Sequence, residues 1–209
     1  MDKENQIIYS IYSMSRGRQQ GLKRLINSVF ENAKNPKCVE IVVYIDDDDW
    51  ATRKLYEGEY KDNPNIVFIM GTRVGYLGWR LVWDKFYEYL RGDVFMAIPD
   101  DCWVILKHFD EVYYKFKDQA VVFGPNRGRY RCRFGYTRKL VEQDEYIRNY
   151  ANPNPIQKAD RYIADYAISN GFYVKTSNMY RKSDGRDKTY KERFIVVVPK
   201  PEDIHLAKL

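Results

Sequence analysis

Two adjacent carboxylates, Asp100 and Asp101, follow the apolar run Val94-Phe-Met-Ala-Ile98 after a single proline, Pro99. A run of this length after the turn signal Arg91-Gly92 reads as a buried strand, Val94 to Ile98. A strand that ends this way delivers two anionic groups to the mouth of a sheet. Hard cations such as Mg2+ and Mn2+ take carboxylate oxygens, and substrate phosphates often complete the shell. The alternative use of paired aspartates is a turn or a helix cap. Two further polar clusters stand in equivalent places: Ser15-Arg16-Gly17-Arg18 after the apolar segment Ile7 to Tyr12, and Asp46-Asp47-Asp48-Asp49 after the β-branched run Val39 to Ile45.

The elements that must carry these clusters alternate through the first 125 residues. Ser15 can cap a helix whose apolar positions Leu22, Leu25, Ile26, Val29 and Phe30 follow the i, i+3, i+4 rule, and Asn35-Pro36 ends it. A short helix is expected from Trp50 to Tyr60, a third strand from Ile66 to Met70, and a second strong helix from Gly78 to Leu90. Strands separated by helices of this length imply parallel β-α-β units, a sheet covered on both faces, and ligands at the carboxyl ends of its strands. Beyond a helix at Phe109 to Lys117 and a strand at Ala120 to Phe123 the texture changes. Tyr130, Cys132, Phe134 and Tyr136 alternate with Arg131, Arg133 and Gly135, which suits a half-exposed strand with arginines on its open face. A helix from Gln157 to Asn170 ends at Gly171, and strands are expected at Phe172 to Thr176 and Phe194 to Val198.

Composition narrows the class. A chain of 209 residues, 44% apolar and 31% charged, suits one core with an appended lobe. No window is apolar enough to span a bilayer and the start Met-Asp-Lys-Glu-Asn is too polar for a secretory signal, so the expectation is a cytoplasmic protein. Cys38, Cys102 and Cys132 form no C-x-x-C pair, which argues against a zinc site or disulfide framework. His108 and His205 lie far apart, and no nucleophilic triad is visible. The net charge of +6 is uneven: Arg127 to Lys139 gathers six cations, a pattern that favours polyanionic ligands.

The order of strand, Ser15-Arg16-Gly17-Arg18, helix, strand, Asp46 to Asp49, strand, helix and Ile98-Pro-Asp-Asp101 resembles the nucleotide-sugar-binding half of GT-A glycosyltransferases, nearest to the family 2 type. The resemblance implies an α/β, Rossmann-related open sheet, mainly parallel, with a donor half at 1–125 and an acceptor-side half at 126–209 of one domain. It implies that Ser15 and Arg16 lie along the nucleotide and that Asp46, with Asp48 as the other candidate, meets the base. A carboxylate can accept from a uracil-type N–H while arginine offsets phosphate charge, so a UDP-sugar is the favoured donor. The segment Gly75-Tyr-Leu-Gly-Trp-Arg80 reads first as the start of a helix packed under the donor site, with Arg73 or Arg80 pointing at phosphate as the other use. Pro99 stands where the family has the first Asp of Asp-x-Asp, which leaves Asp101 as the ligand of Mn2+ or Mg2+ and Asp100 facing ribose or donor sugar.

Asp160, eleven residues before Gly171, matches the family's general base, with Ala159 in place of the usual Glu. It can equally cap its helix, and Asp165 is the reserve. Where many relatives carry a metal-binding His, this chain reads Ser177-Asn-Met-Tyr-Arg-Lys182; either the ion has fewer protein ligands, or Arg181 and Lys182 neutralise the diphosphate directly. Trp79 and Trp83 read as core, whereas Trp103 is placed to line an acceptor pocket. The basic segment Arg127 to Lys139 suits either DNA carrying a hydroxymethylated base, extruded for reaction, or an acidic saccharide or protein, or is an ordinary solvated face. The rival readings are a metal-dependent nucleotidyltransferase and a non-catalytic basic module that binds nucleic acid.

Overall fold

The computed structural model describes residues 6–75, 79–125, 135–148, 165–176 and 180–182. Among them a seven-stranded sheet forms the centre, in the order β3-β2-β1-β4-β7-β6-β8. Its strands are β1 (Tyr9–Ser15), β2 (Val39–Asp46), β3 (Ile66–Gly71), β4 (Val94–Ala97), β6 (Val122–Pro125), β7 (Gly135–Thr137) and β8 (Tyr173–Thr176). β1 pairs in parallel with both β2 and β4, and β2 with β3; β7 runs antiparallel between β4 and β6, and β6 pairs in parallel with β8. A separate antiparallel ribbon joins β5 (Cys102–Val104) to β9 (Tyr180–Lys182).

Side chains on successive strand positions divide the core into two layers, as the two-residue period requires. Tyr9 and Ile11 of β1, with Val39, Ile41, Val43 and Ile45 of β2, pack under α1 (Gln19–Asn32) and α4 (Phe109–Tyr114). Tyr12, Val42, Tyr44 and Phe95 point the other way, against Val82, Trp83 and Phe86 of α3 (Trp79–Tyr89), Leu140 and Val141 of α5 (Arg138–Gln143), and Ile147 of α6 (Glu145–Arg148). β2 is buried along its whole length, which explains why Val and Ile fill five of its first seven positions. α1 forms where expected and buries Leu22, Leu25, Ile26 and Val29.

Several local expectations change. Ser15 is the last residue of β1 and not a helix cap; the cap position of α1 falls on Arg18, whose side chain makes no capping bond. Asp49 is the capping residue nearby, accepting from Thr52 N–H at the start of α2 (Trp50–Leu55). That helix continues as a wider π turn over Tyr56–Tyr60. Gly135 to Thr137, expected on a half-exposed strand, is buried on both faces because β7 is interior to the sheet. Residues 126–134, with the alternating arginines, lie outside the described residues. The expected helix at 157–170 is seen as helical residues 165–169, and the strand at 194–198 also lies outside.

At the amino end of the sheet a carboxylate is closed in completely. Glu40 of β2 is fully buried and accepts from Ser10 Oγ (2.6 Å), Arg91 N–H (2.6 Å) and Arg91 Nε (2.6 Å). Ser10 Oγ in turn accepts from Gly92 N–H at 2.8 Å. Three donors on one buried carboxylate make this a locking network between β1, β2 and the turn into β4.

Candidate functional site

The chain runs from β1 to β2 to β3 on one side of the sheet and then returns to place β4 on the other side of β1. In open α/β sheets ligands bind at the carboxyl ends of the strands beside such a reversal. The segments that leave β1 and β4 there are Arg16 to Arg18 and Pro99 to Asp101, and the segment leaving β2 adds Asp46 to Asp49. All three polar clusters picked out in the sequence therefore share one edge.

Two ion-pair groups stand on this edge. Arg16 donates from Nη1 to Asp46 Oδ2 at 2.8 Å, and both of its Nη atoms bond to the Asp48 carboxylate. The bonds from Asp48 and then Asp46 raise the pKa of the guanidinium, and those from Arg16 draw Asp48 below the usual carboxylate range. Arg73, exposed after β3, adds a weaker pull on Asp48. Asp46 is buried at the end of its strand, whereas Asp48 stands in solvent. Asp49 fixes the turn from beneath, accepting from Gly17 N–H (2.8 Å) and Thr52 Oγ1 (2.6 Å). Burial works against its charge, but those bonds outweigh it and its pKa is lowered. Gly17 adopts φ 63°, a left-handed conformation that side chains resist, and so allows the loop to turn back onto Asp49.

The second group is built on β4. Asp100 is almost fully buried; Ser15 Oγ donates to its Oδ2 at 2.8 Å and Arg18 Nη1 to its Oδ1 at 3.2 Å. Burial pushes the Asp100 carboxyl up, and the bonds from Ser15 and Arg18 oppose this only in part. Asp101 is more open, with Arg18 Nη1 3.9 Å from Oδ2 and the Cys102 thiol 3.4 Å from Oδ1. Arg18 thus lies between two neighbouring carboxylates, where one cation serves both. Among the described residues no group of three or more His, Cys, Asp or Glu is placed to hold a metal ion, so Asp100 and Asp101 offer only a carboxylate pair.

The remaining sequence candidates fall as follows. Ser15, expected along the nucleotide, is buried with its hydroxyl directed at Asp100. Arg181 belongs to β9, where its backbone pairs with Trp103, two residues beyond Asp101. Asp160 lies outside the described residues, as does the segment 177–179; Asp165 opens the helical residues 165–169 and is half-buried. Trp83 is core, and its Nε1–H donates to the Arg148 carbonyl at 2.8 Å. Trp103 is half-buried with the Arg24 guanidinium 5.2 Å from its ring centroid. Of the basic segment, Arg138 donates to the carbonyls of Leu90 (2.5 Å) and Gly92 (3.0 Å), and Lys139 to that of Asp118 (2.7 Å). These two cations close backbone ends, and the other arginines of the segment, at 127–133, lie outside the described residues.

Sequence reasoning did not single out Arg18 or Gly21. Arg18 was legible as the second arginine of Ser-Arg-Gly-Arg. Gly21 stands on the first turn of α1, where a Cβ would lie 2.5 Å from the Asp100 carbonyl oxygen, so a glycine is required for the helix to pass under the aspartate loop.

No family model and no curated protein matches this chain. Solved structures do. S. aureus TarS 1-349 is similar over 85% of this chain and 60% of its own length, with a TM-score of 0.64 at 14% identity. The same protein in complex with UDP gives 0.59 at 13% identity, over 77% of this chain and 55% of that one. The mannosyltransferase PcManGT from Pyrobaculum calidifontis, in complex with GDP-Man and Mn2+, gives 0.51 at 9% identity over 66% of this chain and 46% of its own. The chain spans about half the length of the solved structures it matches. Together they identify a GT-A fold. Among the described residues, no helix is long and apolar enough to cross a membrane.

Proposed function

We propose that this chain, through its GT-A fold, moves a sugar from a nucleoside diphosphate donor to a hydroxyl acceptor. The observation that carries the reading is the convergence of the Arg16–Asp46–Asp48 group and the Ser15–Arg18–Asp100–Asp101 group on the edge where the strand order reverses. The fold neighbours were solved with GDP-Man and with UDP, which supports a sugar nucleotide as donor. Preference for UDP rests on Asp46, or Asp48, accepting a hydrogen bond from a uracil N–H.

In this reading Arg16, Arg73 and Arg181 offset the diphosphate charge, and Asp100, held by Ser15, orients ribose or donor sugar. Asp101 holds Mn2+ or Mg2+, which when bound stabilises negative charge on the departing phosphate. The Asp160 carboxylate takes the proton of the acceptor hydroxyl. The acceptor oxygen then bonds to the anomeric carbon, the bond from that carbon to the phosphate oxygen breaks, and its electron pair leaves with the nucleoside diphosphate. Attack from the face opposite the leaving group inverts the centre. Residues 1–125 serve the donor and 126–209 the acceptor. A hydroxymethylated base in DNA is the acceptor suggested by the basic segment, with Arg127, Arg129, Arg131 and Arg133 as its remaining phosphate contacts.

Thermal melts with a panel of nucleoside diphosphate sugars and Mn2+, together with slow donor hydrolysis, test the reading. Stabilisation by a sugar nucleotide is the expected result. A preference for nucleoside triphosphates points instead to nucleotidyl transfer, and indifference to both leaves a binding module. A duplex containing hydroxymethylated bases, offered with the stabilising donor, tests the acceptor by transfer of labelled sugar.

A further inference from the structure

We propose that the cleft between α1, the π turn and the first residue of β3, at the amino end of the sheet, is a second ligand site, and that it takes a small organic ammonium ion with an apolar body. The site is independent of the donor reading above.

The cleft has a volume of about 320 Å³, at the lower end of the range that holds small molecules, roughly 300–1,000 Å³. Its floor is apolar: Ile26 and Ile66 are buried and Phe30 is half-buried. Its rim carries Glu31 of α1 and Glu59 of the π turn, both exposed. Lys23 Nζ pairs with Glu59 at 2.6 Å, so that carboxylate is offset and Glu31 leaves the rim negative. Lys107 does not line the cleft; its Nζ donates to the main-chain carbonyl of Glu31 at 3.3 Å. An apolar floor under an acidic rim suits a cation with an apolar body and rejects a carboxylate of the same size.

Two further features point to a ligand there. Tyr60, which lines the cleft and is 7% exposed, has a hydroxyl with no hydrogen-bond partner among the described residues. A buried polar group in that condition costs stability until something arrives to bond it. Burial, and then the charge of Glu59, pushes this phenol up to about 12, so it stays a neutral hydroxyl that can donate or accept. It can accept from an ammonium group while Glu31 supplies the opposite charge. The wall that carries Tyr60 is also irregular: α2 gives way to the π turn, in which Lys61 N–H donates to the Tyr56 carbonyl, five residues back, at 3.0 Å. Turns of this kind are rare and are found frequently at functional sites. Here the turn brings the consecutive residues Glu59 and Tyr60 both to the cleft. Phe30 follows Gly21, the residue packed on the Asp100 loop, by about 13 Å along α1, so the cleft and the donor edge are separate places on one helix.

The test uses the full chain and three probes of similar size, phenethylammonium, phenethyl alcohol and phenylacetate, each at about 10 mM to match the weak affinity of so small a ligand. Binding is read by saturation transfer from protein to probe. Phenethylammonium is expected to bind, phenylacetate at least about tenfold more weakly, and the alcohol between them. Tyr60→Phe is expected to keep or raise the melting temperature, because no bond is lost, and to weaken phenethylammonium by about fivefold or more. Glu31→Gln, at an exposed position, is expected to weaken it similarly with the melting temperature unmoved. Saturating UDP is expected to leave phenethylammonium binding unchanged. Absence of transfer to every probe, equal binding of all three, or unchanged phenethylammonium binding in either variant overturns the proposal. So does displacement by UDP, which would put the ammonium ion at the donor edge. A lowered melting temperature in Tyr60→Phe would show that the hydroxyl is already bonded and overturns it too. Failure of UDP to bind at all removes the donor reading and leaves this site standing.

Discussion

The two ends of the parallel sheet each set arginine against buried carboxylate, and they are balanced differently. At the amino end one carboxylate, Glu40, meets one arginine, Arg91, and neutral donors from Ser10 and the Arg91 backbone complete its shell. At the carboxyl end Asp46 and Asp48 share Arg16 and Asp100 and Asp101 share Arg18, with Asp48 about half in solvent and Asp101 much less so. Partial exposure of the arginine does not separate the two cases, since Arg91 is as open as Arg16 and Arg18. What separates them is how the charges are shared. A network in which one buried carboxylate takes three donors holds strands together; one in which two carboxylates share a guanidinium at the edge of solvent contributes less to the fold.

That contrast is broken most directly at the amino end. Arg91→Ala leaves Glu40 buried without its cation and is expected to cost about 3 kcal/mol. For a chain of this size that is a fall in melting temperature of about 10 °C, with the response to sugar nucleotide retained in the surviving folded protein. A fall of a degree or two would mean that the amino-end network is not a lock. Gly21→Ala joins the two properties: its Cβ meets the Asp100 carbonyl oxygen at 2.5 Å, so helix and loop must part. A loss of about 2 kcal/mol in denaturant unfolding is expected, accompanied by weaker Mn2+ and UDP binding.

Asp49→Ala removes the cap of α2 and the clamp on Gly17, with an expected loss of about 1 kcal/mol. Here pH supplies a second reading. The folded pKa of Asp49 is lowered, so its ionised form stabilises the fold above the ordinary aspartate range, and this contribution fades as the pH falls through the depressed folded value. The gap between parent and Asp49→Asn in urea midpoint should therefore narrow on acidification; a gap constant with pH would assign the role to shape alone. Arg16→Ala is expected to change stability least, because Arg16 and its partner Asp48 face solvent, while weakening UDP binding by about tenfold or more in calorimetry. Normal UDP binding in Arg16→Ala would detach this arginine from the donor.

The parallel half of the molecule was legible because each strand and helix there is long enough to show its period. β1, α1, β2, β3, α3 and β4 emerge within a few residues of their expected bounds. The shared edge followed from topology alone, since every polar cluster stood after a strand. The finer geometry did not, because spacing says which residues leave a strand and not which of them turn inward. Ser15 and Asp100 both end buried against each other, 85 residues apart in sequence. Nor was β7 legible: Gly135 to Thr137 is too short to reveal two buried faces, and its antiparallel insertion depends on β4 and β6 being there first. Arg138 read as surface charge because a sequence does not display the carbonyls of Leu90 and Gly92 left open at a helix end.

The ribbon of β5 and β9 ties Trp103 to Arg181, residues 78 positions apart in sequence. Such a long-range pairing forms late, after the entropy of closing a large loop has been overcome. While the chain is being made, the strand that follows the aspartates is held by Ser28 and Asn32 of α1 at Val104, but among the described residues it has no strand partner until residues 180–182 leave the ribosome. The candidate edge is thus braced only when almost all of the described structure has been synthesised, and a truncated product would keep the sheet yet lack the strand paired beside Asp101.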